Sequence, residues 1–149
     1  MSTLAGPRVR AACRERIQRL DPNASPKWGR MTARQMVCHL NDSFRVGMGE
    51  KYASPSTSLL QTTLIKWIAL RAPLRWPPGV PTRPEIEQGR GGTPPAEWEN
   101  DRNELLGLLE SFVGRRTFGA HLVFGPMSRC EWLTCGYRHV DHHLRQFGV

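Results

Sequence analysis

Apolar residues recur at spacings of three and four through most of the chain, the period of helices that each bury one side. Near the N-terminus Val9, Cys13, Ile17 and Leu20 share a stripe. They predict a helix from about Pro7 to Leu20, ended by Asp21-Pro22-Asn23. A second stripe of Met36, Leu40 and Phe44 follows Thr32 and Gln35, which are spaced as a capping box. Gly47 and Gly49 close that helix. Ser54-Pro55 has the cap-then-proline order that opens a third, with Leu60, Leu64, Trp67 and Ile68 as its apolar side until Pro73. Thr93-Pro94 is expected to open the next, whose stripe of Trp98, Leu105, Leu109 and Phe112 ends at Gly114. Ser128 and Glu131 form another capping box, before a last helix over about 129–147. Its buried face carries Trp132, Gly136, His139 or Val140, His143 and Phe147. The expected fold is all-α: a four-helix bundle with an additional short helix or a long crossover.

The crossover is the segment from Pro73 to Pro95, which holds many of the twelve prolines and cannot be regular helix. Long connections inside a compact domain are uncommon and often functional. It reads either as a lid over one end of the bundle or as a tethered crossover packed by Trp76 and its prolines. The 149 residues suit one domain, 1–149, with a core that needs no cross-links. Arg8, Arg10, Arg14, Glu15 and Arg16 interrupt the apolar run that a signal peptide requires. The most apolar stretch, Leu59 to Ala72, contains Lys66 and Arg71 and is too short to span a bilayer. The expectation is a soluble, cytoplasmic protein with no membrane partner. None of the four cysteines forms a Cys-x-x-Cys pair, a usage that fits a reducing compartment; Cys38 reads as a small buried hydrophobe.

The run His139-Val140-Asp141-His142-His143 carries the most chemistry. Residues four apart on a helix differ by only about 40° around the axis, so His139 and His143 point the same way. His139 and His142 also lie within one turn, and spacing alone leaves both pairs open. A single histidine on an apolar stripe is usually a hydrogen-bonded core group. Two together suggest half a metal site, and His39, beside the Met36–Leu40–Phe44 stripe, offers a third ligand. Three imidazoles leave a coordination position open, as in catalytic rather than structural sites. Imidazole suits zinc or nickel, with iron or copper as alternatives. Asp42, three residues after His39, and His121, in the loop before the last helix, are the candidate proton carriers. Asp101 shares a stripe with Trp98 and Leu105 and could orient a metal-bound histidine, although acids near helix N-termini are commonly placed there by the dipole.

Several segments together resemble one family: Trp28-Gly29-Arg30-Met31-Thr32, Cys38-His39-Leu40-Asn41-Asp42, Trp76-Pro77-Pro78-Gly79, Gly91-Gly92-Thr93-Pro94, Phe124-Gly125 and the closing run from His139 to Phe147. The chain is similar to the DinB-like superfamily over nearly its whole length, and most similar to a branch of uncharacterised bacterial domains. The resemblance implies an up-down-down-up four-helix bundle and carries the metal ligands over to His39, His139 and His143, choosing His143 over His142. It also implies a metal-dependent transferase using a low-molecular-weight thiol of the bacillithiol, mycothiol or glutathione type. The chain departs from the pattern at Leu122, where relatives often have proline, and at Leu133, where they often have glycine.

The net charge of +8 adds a competing class, since a basic surface attracts polyanions. Arg8, Arg10, Arg14, Arg16 and Arg19 crowd the first helix opposite its apolar stripe. Nothing in the sequence resembles a recognition helix, a stacking platform or a zinc finger, so nucleic acid stands behind a small-molecule substrate. The remaining alternative is a non-enzymatic bundle, with or without metal, that acts as a binding module. A homodimer is compatible with a bundle of this kind, but no leftover stripe marks an interface.

Overall fold

Both capping boxes form. The Gln35 amide donates to Thr32 Oγ1 at 3.2 Å while the Thr32 amide donates to the Gln35 side chain at 3.0 Å, and Ser128 and Glu131 make the same exchange. Two of the orphan donors at each helix start are thereby satisfied. These boxes open the two helices that carry the candidate ligands, α2 (Ala33–Gly47) and α5 (Arg129–Gln146). The computed structural model describes residues 2–149 and also contains α1 (Pro7–Gln18), α3 (Lys66–Arg71), which continues a π-helical turn at Gln61–Ile65, and α4 (Trp98–Gly114). Among the described residues there is no strand, only an isolated antiparallel bridge between His121 and Gly125. The fold is therefore all-α, a four-helix bundle of α1, α2, α4 and α5 with one extra short helix. α1 and α2 each pack on both α4 and α5, which puts α1 and α2 on one diagonal of the bundle and α4 and α5 on the other.

Aromatic packing fixes the middle of the bundle. The Phe112 ring lies 4.9 Å from both Phe44 and Phe118 and 6.1 Å from Trp132, centroid to centroid. Two glycines admit it: a Cβ on Gly47 would stand 3.0 Å from ring carbons of Phe112 and Trp132, and one on Gly136 would stand 2.9 Å from Phe112. The predicted stripes Cys13–Ile17, Met36–Leu40–Phe44 and Leu105–Leu109–Phe112 are buried here, as are Trp132, Val140, His143 and Phe147 of the last helix, joined by Leu144. On α1, Arg10 and Arg14 pair with Glu110, and Arg16 pairs with Asp141, so much of the basic face of that helix binds its neighbours. Among the described residues no helix is long and apolar enough to cross a membrane.

Two expectations need correction. The fourth bundle helix opens at Trp98, capped by the Glu97 carboxylate, which accepts from the Asn100 amide. Thr93 does not open it, because its amide and hydroxyl both donate to the Asp42 carboxylate at 2.7 Å. The third helix likewise starts late. Ser54 is a tether, its amide donating to Glu85 and its hydroxyl accepting from Arg83, and Ser58 provides the cap by accepting from Gln61. Its expected inner side is divided. Leu60, Leu64 and Trp67 remain 54–59% exposed, whereas Ile65, Ile68 and Ala69 line a cavity. This helix stands off the bundle and packs on α5, so little more than its narrow inner edge is covered.

The proline-rich crossover is pinned along its length. Arg138 donates to the Ala72 and Leu74 carbonyls, the Trp76 indole donates to Ala69, and Thr93 is held by Asp42. Its midpoint is a 3-10 turn at Pro84–Ile86 that packs on α2.

Candidate metal centre

The capped starts of α2 and α5 set the register that brings three imidazoles to one point. His139 Nε2 lies 3.2 Å from His39 Nε2 and 3.1 Å from His143 Nε2, and the candidate ligand atoms of the three all fall within 4.8 Å of one another. With metal–nitrogen bonds of about 2.0–2.1 Å, two ligands on a tetrahedral ion stand about 3.3 Å apart. The observed separations are close to that edge.

The ring orientations are set from behind. His39 Nδ1–H donates to the Ile86 carbonyl at 3.2 Å, and His143 Nδ1–H donates to Gln146 Oε1 at 2.8 Å. The Gln146 amide cannot reverse without losing its own bond, in which Nε2 donates to the Trp28 carbonyl at 2.7 Å. Gly29 permits that approach, since it has φ +78° and a Cβ there would stand 3.0 Å from Gln146 Nε2. With both Nδ1 atoms protonated, His39 and His143 turn lone pairs towards the centre, where the single ring nitrogen of His139 can donate at most one proton. The cluster has more lone pairs than protons to share between them, which is the donor set a cation requires.

Electrostatics agree. Burial pushes the imidazole pKa of His39 down, and His139 is lowered further by burial and by its two partners. Burial, with His39 alongside, takes His143 to about 3. The three rings are neutral at neutral pH, the state a metal binds.

A cavity of about 720 Å3 opens onto the trio, lined by α3 and the crossover as well as by the histidines. His142 also lines it. That ring is packed against Trp28 at 5.4 Å and Trp76 at 6.4 Å, is 8% exposed, and has a buried Nδ1 with no hydrogen-bond partner. His121 borders the cavity, but its Nδ1 accepts from the amides of Val123 and Phe124, each at 3.1 Å. Its remaining nitrogen faces Cys135 Sγ at 3.8 Å. Burial lowers His121 to about 4 and raises Cys135 to about 12, so both are neutral. Asp42 is wholly buried, its carboxylate shared between Thr93 and the Lys51 ammonium at 2.9 Å. Asp101 does not serve the histidines: its carboxylate accepts from the Ala96 amide at the start of α4 and its carbonyl from Asn41. The sequence reading missed Gln146 and Ile86. The first was visible as a glutamine three residues after His143, one turn along the same face. The second is a backbone carbonyl, for which sequence carries no sign.

The buried histidines make stability depend on pH. An exposed imidazole in the unfolded chain takes a proton near pH 6.5, whereas His121 resists until about 4 and His143 until about 3. Below about 6.5 the unfolded state binds more protons, so the contribution is complete above that pH and is lost as pH falls towards the folded values. The loss is up to about 1.4 kcal/mol per pH unit per histidine. The urea midpoint of metal-free protein is expected to fall between pH 7 and 5, a range above ordinary carboxylate titration; a flat profile would contradict neutral burial.

The fold and the cluster define an all-α bundle bearing a three-histidine group able to coordinate a metal ion. Residues 3–148 match the family described as protein of unknown function (DUF1569), and the chain belongs to it. No curated protein and no solved structure matches the chain.

Proposed function

We propose that this is a DinB-like, divalent-metal-dependent enzyme in which His39, His139 and His143 hold the ion, zinc or nickel ahead of iron or copper. In this reading it joins a nucleophile, a low-molecular-weight thiol of the bacillithiol, mycothiol or glutathione type or water, to a small electrophile. The observation that carries the reading is the convergence of three Nε2 atoms at a cavity wall, two of them with their tautomers set by Ile86 and Gln146. When bound, the ion supplies Lewis acidity, lowering the pKa of a thiol or water in the position that three protein ligands leave open. The chain's own residues do the rest. Gln146 and Ile86 hold His143 and His39 with lone pairs inward, Trp76 and the crossover screen the site from water, and the cavity admits the second reactant. Asp42 and His121 are given supporting roles here, Asp42 anchoring the crossover to α2 and His121 ordering its loop, because their hydrogen-bonding atoms are already engaged.

A purely structural ion would be closed by a fourth protein ligand and would not respond to added thiol. Cobalt-loaded protein titrated with 2-mercaptoethanol separates the two. The expected result is a new thiolate-to-cobalt absorption that saturates with one thiol per ion. An unchanged cobalt spectrum would leave a metal-stabilised binding module and end the enzymatic reading.

A further inference from the structure

The cavity in front of the histidines also speaks to what enters it. Resting on the metal-dependent reading above, we infer that the second reactant has an apolar body and a single polar head, with the head directed to the histidine trio. Three observations lead there.

The first is size: about 720 Å3 is room for a molecule of drug-like dimensions, well beyond a water or a simple thiol. The second is the lining. Ile65 and Ile68 from the inner edge of the α3 segment, Leu74, Trp76 and Val80 from the crossover, and Phe124 from the loop before α5 all border it. Among the described residues lining the cavity there is no aspartate, glutamate or lysine, and the only charged side chains are Arg75 and Arg83. Arg83 already donates to Ser54 at 2.6 Å. A carboxylate could turn to Arg75, but an ammonium group on the second reactant would lose hydration there without an acidic partner, which costs kilocalories. A chain of methylenes or a flat ring gains from the same walls.

The third observation places the polar end. The histidine trio on α2 and α5 makes one end of the cavity polar, with His142 beside it. The Trp76 ring lies 6.0 Å from His139 and 6.4 Å from His142, so the apolar wall runs up to the polar end without a gap. A substrate with a polar head and an apolar tail matches this gradient, with the head meeting the trio.

The test uses straight-chain alkyl hydroxamates, from acetohydroxamate to octanohydroxamate, titrated by calorimetry into zinc-loaded protein with metal-free protein as the control. The head is constant and metal-seeking while the tail grows. Affinity is expected to rise about three- to fourfold per methylene until the cavity is filled. Ile68→Asp and Val80→Asp, at half-exposed positions that tolerate a charge, should flatten that slope and leave acetohydroxamate binding unchanged. If long and short hydroxamates bind alike, the metal reading survives and the apolar-substrate inference is overturned. A slope that persists in both variants also overturns it, since the tail then lies elsewhere. Failure of every member to bind zinc-loaded protein would instead remove the metal reading, and the inference with it.

Discussion

Replacing His143 with alanine is expected to abolish retention of a divalent ion by a protein that otherwise keeps close to one equivalent through dialysis, as read by elemental analysis. The variant keeps His39 and His139, but two imidazoles on different helices are a weak chelate, and the surviving pair loses the neighbour that fixes its spacing. The effect should exceed that of Gln146→Ala, which leaves all three nitrogens in place and removes only the acceptor that orients His143. Loss of such an outer partner typically costs about 10- to 100-fold in metal affinity. The order of the two variants is the informative part. If Gln146→Ala binds like wild type while His143→Ala fails, the tautomer is set by something other than the glutamine. If His142→Ala loses the ion and His143→Ala keeps it, the wrong member of the histidine pair has been assigned.

The second large effect belongs to Asp42→Ala. That carboxylate is completely buried, accepts from the amide and hydroxyl of Thr93, and pairs with Lys51, whose side chain is 23% exposed. Removing it leaves a partly buried ammonium with only the Thr93 hydroxyl as a partner, strips the Thr93 amide of its acceptor and frees the end of the crossover from α2. Breaking a fully buried pair in this way costs about 3–5 kcal/mol; with Lys51 in partial contact with water, about 3 kcal/mol is expected in urea unfolding at pH 7. Because the crossover also supplies the Ile86 carbonyl behind His39, metal affinity should weaken alongside stability. A proton-carrying Asp42 would behave differently, with turnover lost while stability and metal content stayed near wild type.

How much of this could be read from the chain depends on the range of the interaction. The starts of α2 and α5 were legible because a capping box is complete within four residues, and the stripe through His139 and His143 follows from helical geometry once the start is known. The start of α4 was misread because the Thr93 hydroxyl that resembles a cap spends its bonds on Asp42, 51 residues earlier in the chain. The third helix was placed too early for the same reason, Ser54 being engaged by Arg83 and Glu85. Its facing was not decidable by periodicity either, since Leu60, Leu64 and Trp67 make as good a stripe as Ile65, Ile68 and Ala69. Which one is covered depends on where the crossover runs. Within the centre, spacing and family likeness single out the three histidines that the fold brings together, and Gln146 is present as a local signal. The Ile86 contact required the path of the crossover itself.

The two nitrogens at 3.2 Å on His39 and His139 belong to residues 100 positions apart in the chain. A ligand set so dispersed exists only in the folded state, so an ion held there draws the equilibrium towards folding by mass action. At a free concentration 100 times its dissociation constant it adds about 2.7 kcal/mol, a sizeable share of the stability of an ordinary domain. The melting temperature of this protein would then track the free metal around it. Under metal starvation a larger fraction of the chain would be open to proteolysis, making its abundance a record of metal supply before any reaction is catalysed.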